Sequence, residues 1–123
     1  MPREVVLLTP EMPGDESFRA AALRMAPTVG GISLALDAGG LLARFHSPDL
    51  DPLLTVLHPR RIRSLDEIDR LLPAHGALPP MPAPGYWWTD AVVPWGAALT
   101  PGLALARALA EELAGVLVDR AAA

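Results

Sequence analysis

The amino-acid sequence predicts an α+β fold in which helices cover one face of a mainly antiparallel sheet. Between residues 32 and 57, apolar and polar residues alternate in short runs separated by turn residues, as in an antiparallel meander. Elsewhere, apolar residues recur at helical spacing in segments that lie between the predicted strands. The predicted order is β-α-β-β-β-α-β-α, in a single domain that spans residues 1–123.

A strand and a helix come first in the predicted order. Residues 5–8, Val-Val-Leu-Leu, form a continuous apolar run of the kind found in strands that are buried on both faces. The segment from Phe18 to Met25 then places apolar residues at helical spacing, behind acidic residues that suit the start of a helix. Because proline disrupts a helix, we expect Pro27 to end this one at Ala26.

Three strands of a meander follow. Residues 32–36 alternate between apolar and small or polar side chains, and residues 37–40, Asp-Ala-Gly-Gly, have the composition of a hairpin turn. The extended pattern resumes over residues 41–46. After a polar turn, residues 53–57 complete the meander with a third strand.

The second predicted helix has the clearest start in the sequence. Ser64 and Glu67 have the spacing of a capping box, and apolar residues recur at helical spacing over residues 65–72 before Pro73. Residues 73–85 contain five prolines and two glycines, so we expect a proline-rich loop there.

One more strand and a long helix complete the predicted order. Residues 87–93 alternate large aromatic and β-branched residues with smaller ones. We expect the following Pro94 either to place the end of this strand at a sheet edge or to force the chain out of the sheet. Thr100 as a cap, with a proline directly after it, predicts the start of a helix. The apolar stripe of this C-terminal helix comprises Leu105, Leu109, Leu113, Val116 and Leu117.

Composition and charge narrow the class of protein. Apolar residues make up 51% of the chain and charged residues 20%, which is a globular balance. The net charge of −4 argues against binding to nucleic acid or to an anionic membrane surface. The absence of cysteine excludes disulfides, zinc–thiolate sites and thiol nucleophiles. Because no apolar run suits a signal peptide or a membrane span, we expect a cytoplasmic protein.

Most of the large aromatic side chains lie in one short stretch. Tyr86, Trp87, Trp88 and Trp95 come directly after the proline-rich loop. Such residues are enriched in protein interfaces, and a proline-stiffened entry lowers the entropy cost of presenting them; the other interpretation is that they complete the core. Because successive strand residues point to opposite faces, we expect one of Trp87 and Trp88 to be buried and the other to anchor a protein partner.

A basic loop is the best candidate for an anion-binding site. His58, Arg60, Arg61 and Arg63 lead into Ser64 at the predicted helix start, where backbone N–H groups and the helix dipole favour anions. The loop lacks the glycines of a phosphate-binding loop. The other interpretation is a solvated loop whose arginines pair with acidic residues of the following helix.

Patterns for catalysis and metal binding are weak. His46, Asp49 and Asp51 are ligand types that a divalent metal accepts, but an acid beside proline is also what a turn selects. No serine lies in a nucleophile elbow, and the adjacent Glu111 and Glu112 point about 100° apart on a helix. We therefore expect no catalytic residues, no metal and no cofactor.

Three short pieces of the sequence resemble a known group of proteins. They are residues 8–13, Leu-Thr-Pro-Glu-Met-Pro, residues 70–73, Arg-Leu-Leu-Pro, and the adjacent Trp87 and Trp88. Together they resemble small uncharacterised proteins of actinobacteria, some of them from type VII secretion neighbourhoods. The resemblance implies a non-enzymatic accessory or immunity-like role and assigns no site residues.

Two functional hypotheses follow. The first is a non-enzymatic domain that associates with a protein partner or with itself through the aromatic residues and the C-terminal helix. The second is a domain that binds or processes an anionic small molecule at the basic loop of residues 60–63. An exposed tryptophan beside an apolar helix face favours the first, and a cleft lined by the arginines and His58 favours the second.

Overall fold

The computed structural model describes residues 2–37, 42–73, 75–78, 80 and 85–120. Within these residues, three α-helices and seven antiparallel strands confirm the predicted α+β class. The strands are β1 (Arg3–Thr9), β2 (Ser33–Asp37), β3 (Leu42–His46), β4 (Pro52–Val56), β5 (Arg60–Ile62), β6 (Tyr86–Val93) and β7 (Val116–Asp119). The helices are α1 (Asp15–Val29), α2 (Leu65–Leu71) and α3 (Leu99–Glu112), and a 3-10 turn, Gly96–Ala98, precedes α3.

The strands form one sheet with the order β2-β3-β4-β6-β1-β7, and β5 pairs with β6 beyond the end of β4. β1 lies between β6 and β7, and its residues from Val5 to Thr9 are buried, which confirms the strand predicted from residues 5–8. β6 is also internal, because it pairs with β1 on one side and with β4 and β5 on the other. Val93 is its last paired residue, so Pro94 does not place the strand at a sheet edge, and the chain leaves the sheet there.

The two faces of the sheet are covered differently. α1 and α3 lie side by side on one face, the two-helix face, where Val5 and Leu7 of β1 belong to a large apolar core. On the opposite face, Val6 and Leu8 join Ile68 of α2 in a smaller cluster. The position of α2 differs from the prediction of helices on one face only, because β5 and β6 give the opposite face an apolar patch of its own.

α1 continues past its predicted end. It extends to Val29 with Pro27 inside its last turn, so the predicted stop at Ala26 is wrong. Proline cannot donate a backbone hydrogen bond, but the loss of one bond in a final turn leaves the helical path intact. The helix ends instead at Gly30, which adopts a left-handed conformation with φ 79°, while the Gly31 N–H donates to the Ala26 carbonyl at 2.8 Å.

The predicted long C-terminal helix ends at Glu112 and is followed by a strand. Ala114 has a positive φ of 54°, and a Cβ added to Gly115 would lie 2.3 Å from the carbonyl oxygen of Leu8. The chain therefore turns sharply and meets β1 at a point where only glycine fits. Val116 and the residue after it pair with β1 in β7, so their assignment to the helix stripe is wrong.

Neither predicted helix cap uses its side chain. Ser64 precedes α2 in an extended conformation, but its hydroxyl makes no capping hydrogen bond with any described residue. α3 begins at Leu99 behind Ala98, so Thr100 lies inside the first turn. The 3-10 turn before α3 already gives the backbone a helical path, which explains why the helix starts before Thr100.

The meander itself is confirmed, since β2, β3 and β4 pair antiparallel in sequence order. A register shift after Phe45 lets Leu53 and Leu54 both be buried, although they are adjacent in β4. The hairpin turn predicted at residues 37–40 and the proline-rich loop predicted at residues 73–85 lie partly outside the described residues.

Candidate functional site

The aromatic residues of β6 point to both faces of the sheet, as strand geometry requires. Tyr86 and Trp88 lie on the opposite face and are buried in the cluster that includes α2. Trp87 points the other way, is half-buried, and lies with its ring centre 4.3 Å from the guanidinium carbon of Arg61. The expected contrast in burial between Trp87 and Trp88 is therefore confirmed, with Trp88 as the buried residue.

The partner-binding role predicted for the aromatic residues needs a correction. Tyr86 and Trp88 expose almost no surface, because the cluster under α2 needs large apolar side chains to fill it. They are therefore core residues and not contact residues. Trp95, in contrast, is 56% exposed just before the 3-10 turn. The exposed side chains of α3 are Thr100, Arg107, Glu111 and Glu112, so the solvent-facing side of this helix is polar.

The basic segment forms a strand, although the sequence predicted a loop. Residues 60–62 form β5 and pair with the first residues of β6. Arg60 lies opposite Trp88 and Arg61 opposite Trp87, so the two guanidinium groups point to different faces of the sheet. Each cross-strand pair is a cation–π contact, which holds the arginine over an aromatic ring.

The described structure does not bring the residues of the predicted anion site together. His58, Arg63 and Ser64 are exposed, while Arg60 and Arg61 point to opposite faces. None of the main cavities in the described part of the chain is lined by more than one of these five residues. The physical reason is that alternation along a strand separates the side chains of neighbouring residues.

Arg60 belongs instead to a cleft on the opposite face, which we term the Trp88 cleft. The cleft has a volume of about 270 Å³, and its lining includes Glu4, Leu57, Arg60, Asp90, Val92 and Arg120. The guanidinium carbons of Arg60 and Arg120 lie 5.1 and 5.6 Å from the ring centre of Trp88. Trp88 Nε1 donates a 3.1 Å hydrogen bond to Asp90 Oδ1, and Arg120 Nη2 lies 3.9 Å from that oxygen. The buried Trp88 side chain thus contacts two guanidinium groups and one carboxylate beside the cleft.

A second feature lies at the far edge of the sheet, where β2 pairs only with β3 among the described strands. The outer backbone groups of β2 are therefore open to another strand. Beside β2 runs a groove of about 310 Å³, the α1–β2 groove, which is lined by Arg19, Ala22, Leu23, Ile32 and Leu34. Leu23 is 75% exposed, more than any other large apolar side chain of the described residues.

Other ionisable groups connect elements of the fold. Arg3 Nε donates to both carboxylate oxygens of Asp119, at 3.1 and 3.0 Å, and these bonds raise the pKa of Arg3. His75 Nε2 lies 2.7 Å from Asp69 Oδ1, and this hydrogen bond to α2 raises the pKa of His75. Burial raises the pKa of the Tyr86 phenol. These contacts join β1 to β7 and the residues after α2 to the helix.

The polar turn after β3 has the hydrogen bonds of an ordinary turn. The backbone N–H of Asp51 donates to the Ser47 hydroxyl at 3.1 Å, and the Ser47 N–H donates to the Asp51 carbonyl at 2.9 Å. Among the described residues, His46, Asp49 and Asp51 form no cluster that could hold a metal ion, and no other three potential ligands do so. A depression of about 400 Å³ beside the start of α1 is lined by several acidic side chains without forming such a cluster.

Comparisons with protein-family models, curated proteins and solved structures found no match to this chain. In the part of the chain that the structure describes, no helix is long and apolar enough to cross a membrane. Function is therefore inferred from the fold, the Trp88 cleft and the β2 edge.

Proposed function

We propose that this chain is a non-enzymatic binding domain that acts by protein association, with strand β2 as its docking edge. The partner that fits this edge is a second copy of the same chain. The observation that carries the proposal is an open sheet edge with an uncharged centre, beside a highly exposed leucine. The proposed docking surface therefore differs from the one predicted from the sequence. It lies at the far edge of the sheet and not at the aromatic residues of β6, two of which are core.

The two edge strands carry similar charge but differ in what lies beside them. Each ends in an ion-paired aspartate, Asp37 with Arg44 on β2 and Asp119 with Arg3 on β7, and the other residues of both strands are uncharged. β7 is followed directly by the charged Arg120, and charged side chains at a sheet edge commonly prevent the addition of another strand. β2 instead lies beside the α1–β2 groove with its exposed leucine. This apolar surface favours β2 as the edge for a partner.

The α1–β2 groove adds side-chain contacts to the backbone hydrogen bonds of an added strand. Leu23 and Leu34 both line it, and Leu23 is mostly in water. Burying one leucine side chain stabilises an association by about 1.5–3 kcal/mol. In binding by strand addition, backbone bonds supply affinity and pockets for alternate side chains supply specificity. The β2 edge can supply the backbone hydrogen bonds, and the α1–β2 groove can supply a pocket for side chains.

The sequence of β2, Ser-Leu-Ala-Leu-Asp, suits antiparallel pairing with itself. When all five residues pair, Ala35 lies opposite Ala35 of the second copy. Leu34 then lies opposite Leu36 of the second copy on the two-helix face, which makes an apolar row across the joint. Ser33 lies opposite Asp37 of the second copy, where the hydroxyl can donate to the carboxylate. This register joins the two sheets into one and brings both grooves to the same side.

The oligomeric state of the purified protein tests the proposal. We expect sedimentation velocity to show a concentration-dependent equilibrium between monomer and dimer. Leu23→Glu places a charge in the groove and should weaken the dimer by about 2 kcal/mol, or roughly thirtyfold in Kd. Because Leu23 is 75% exposed, this variant should fold normally.

Leu65→Glu is the matched control, because Leu65 is 50% exposed on α2, which lies against the opposite face. It should leave the dimer unchanged. A wild-type protein that stays monomeric at all concentrations would contradict the proposal. Equal weakening of the dimer by both variants would also contradict it, since the effect would then be one of charge and not of the groove.

The proposal also covers the class of partner, the location and the role of the protein. A protein partner, and not nucleic acid, is supported by the net charge of −4. A cytoplasmic location is supported by the lack of a long apolar run in the sequence. The accessory or immunity-like role implied by the resemblance to actinobacterial proteins fits a domain that works by association.

A further inference from the structure

We propose that the Trp88 cleft binds a small zwitterionic molecule of the α-amino acid class. The cleft is formed by β1, β5, β6 and the residues directly after β4 and β7. It is therefore separate from the β2 edge, and ligand binding in it does not depend on the association proposed above. Two guanidinium groups, those of Arg60 and Arg120, and two carboxylates, those of Glu4 and Asp90, line this one cleft. The charges in the cleft are therefore balanced.

One carboxylate and one guanidinium of the cleft already contact other described residues. Asp90 accepts the hydrogen bond of Trp88 Nε1 and lies 3.9 Å from Arg120. Arg60 and Glu4, in contrast, form no ion pair with each other or with any other described residue. Arg60 is positioned by its cation–π contact with Trp88, 5.1 Å from the ring centre. The cleft thus has one guanidinium and one carboxylate that have no ion-pair partner among the described residues.

A ligand that carries both a carboxylate and an ammonium group compensates both side chains. The planar guanidinium of Arg60 matches the two oxygens of a carboxylate. An ammonium group has only hydrogen-bond donors, and the Glu4 carboxylate has only acceptors. A simple anion would gain the contact with Arg60 but would lie beside two carboxylates, and a simple cation would lie beside two arginines. The balanced charge therefore favours a zwitterion over either ion alone.

The size and lining of the cleft narrow the ligand further. Leu57, which is 38% exposed, and Val92 give it an apolar wall. Its volume of about 270 Å³ lies just below the usual range for pockets of drug-sized ligands, roughly 300–1,000 Å³. A single amino acid with an aliphatic side chain suits such a space, with its charged groups toward Arg60 and Glu4 and its side chain toward Leu57.

Binding can be tested with L-leucine, using the indole N–H resonance of Trp88 as a local reporter. This N–H donates to Asp90 at the cleft, and its signal can be assigned by comparison with Trp87→Phe and Trp95→Phe variants. We expect L-leucine to shift the Trp88 signal saturably. N-acetyl-L-leucine lacks the ammonium group and L-leucinamide lacks the carboxylate, so each should bind at least about tenfold more weakly.

Charge-neutral variants test which side chains hold the ligand. Arg60→Gln and Glu4→Gln alter exposed side chains, and each should weaken binding of L-leucine about tenfold or more. Arg63→Gln is the matched control, because Arg63 is exposed and lies outside the lining of the cleft. No saturable shift with L-leucine would overturn the proposal. Equal binding of N-acetyl-L-leucine would also overturn it, because the cleft would then be a site for simple anions.

Discussion

The two faces of the sheet differ in what they bury. On the two-helix face, one apolar core extends from Phe45 of β3 to β1 and includes Leu109 of α3. On the opposite face, the apolar cluster around Ile68 is smaller, and charged or polar side chains such as Arg44 and Glu4 are exposed. Because apolar burial is the main stabilising term in folding, we infer that one face supplies most of the stability. The other face is left free to carry the charged groups of the Trp88 cleft.

The largest expected effect is a loss of stability when a buried side chain is truncated in the apolar core or in the smaller cluster. Leu109→Ala removes a fully buried side chain from the larger core and should lower the free energy of unfolding by about 3–5 kcal/mol. Ile68→Ala, equally buried under the short α2, should cost about 2 kcal/mol, because a seven-residue helix can relax into the space. Urea denaturation of both variants measures the difference. Equal losses would show that both faces contribute alike to stability.

The smallest expected effect is a pH dependence of stability that arises from the contact between His75 and Asp69 of α2. The hydrogen bond to Asp69 raises the pKa of His75, so the folded state binds its proton more tightly than the unfolded state. The stabilisation is therefore fully present below the ordinary histidine pKa of about 6.5 and is lost as the pH rises through the raised value.

His75→Gln is the matching variant for this pH dependence. Thermal unfolding between about pH 5 and pH 9 should show that wild type loses a small increment of stability on the alkaline side that the variant does not. A wild type and a variant whose stability curves run parallel across this range would show that the His75–Asp69 contact adds nothing to folding.

The strands and helices that could be predicted from the sequence are those with a local pattern. The apolar run of residues 5–8, the alternation of the meander and the helical spacing after Ser64 each lie within a few residues of chain. The burial contrast between Trp87 and Trp88 was predictable for the same reason, since it follows from strand alternation alone.

The parts that were missed depend on contacts between distant segments. Val116 and Leu117 continue an apolar helix pattern, but the turn at Ala114 and Gly115 and the pairing with β1 place them in a strand. The Trp88 cleft needs this strand, because Arg120 follows it directly. β5 had one usable signal. Arg-Arg-Ile placed antiparallel to Tyr-Trp-Trp sets each arginine against a tryptophan, which is a favourable cross-strand pairing.

Disulfide formation at Ala35 tests the proposed pairing of β2 most directly. The chain has no cysteine of its own, so Ala35→Cys adds a single reporter. In the proposed register, the two Ala35 positions lie directly opposite, with Cα atoms about 4.5–5.5 Å apart, which suits a disulfide. The two Ser33 positions are offset by four residues, or about 13 Å, which is too far. We predict that mild oxidation converts Ala35→Cys to a covalent dimer while Ser33→Cys stays monomeric. Failure of Ala35→Cys to cross-link, or cross-linking of both variants at the same rate, would contradict the account.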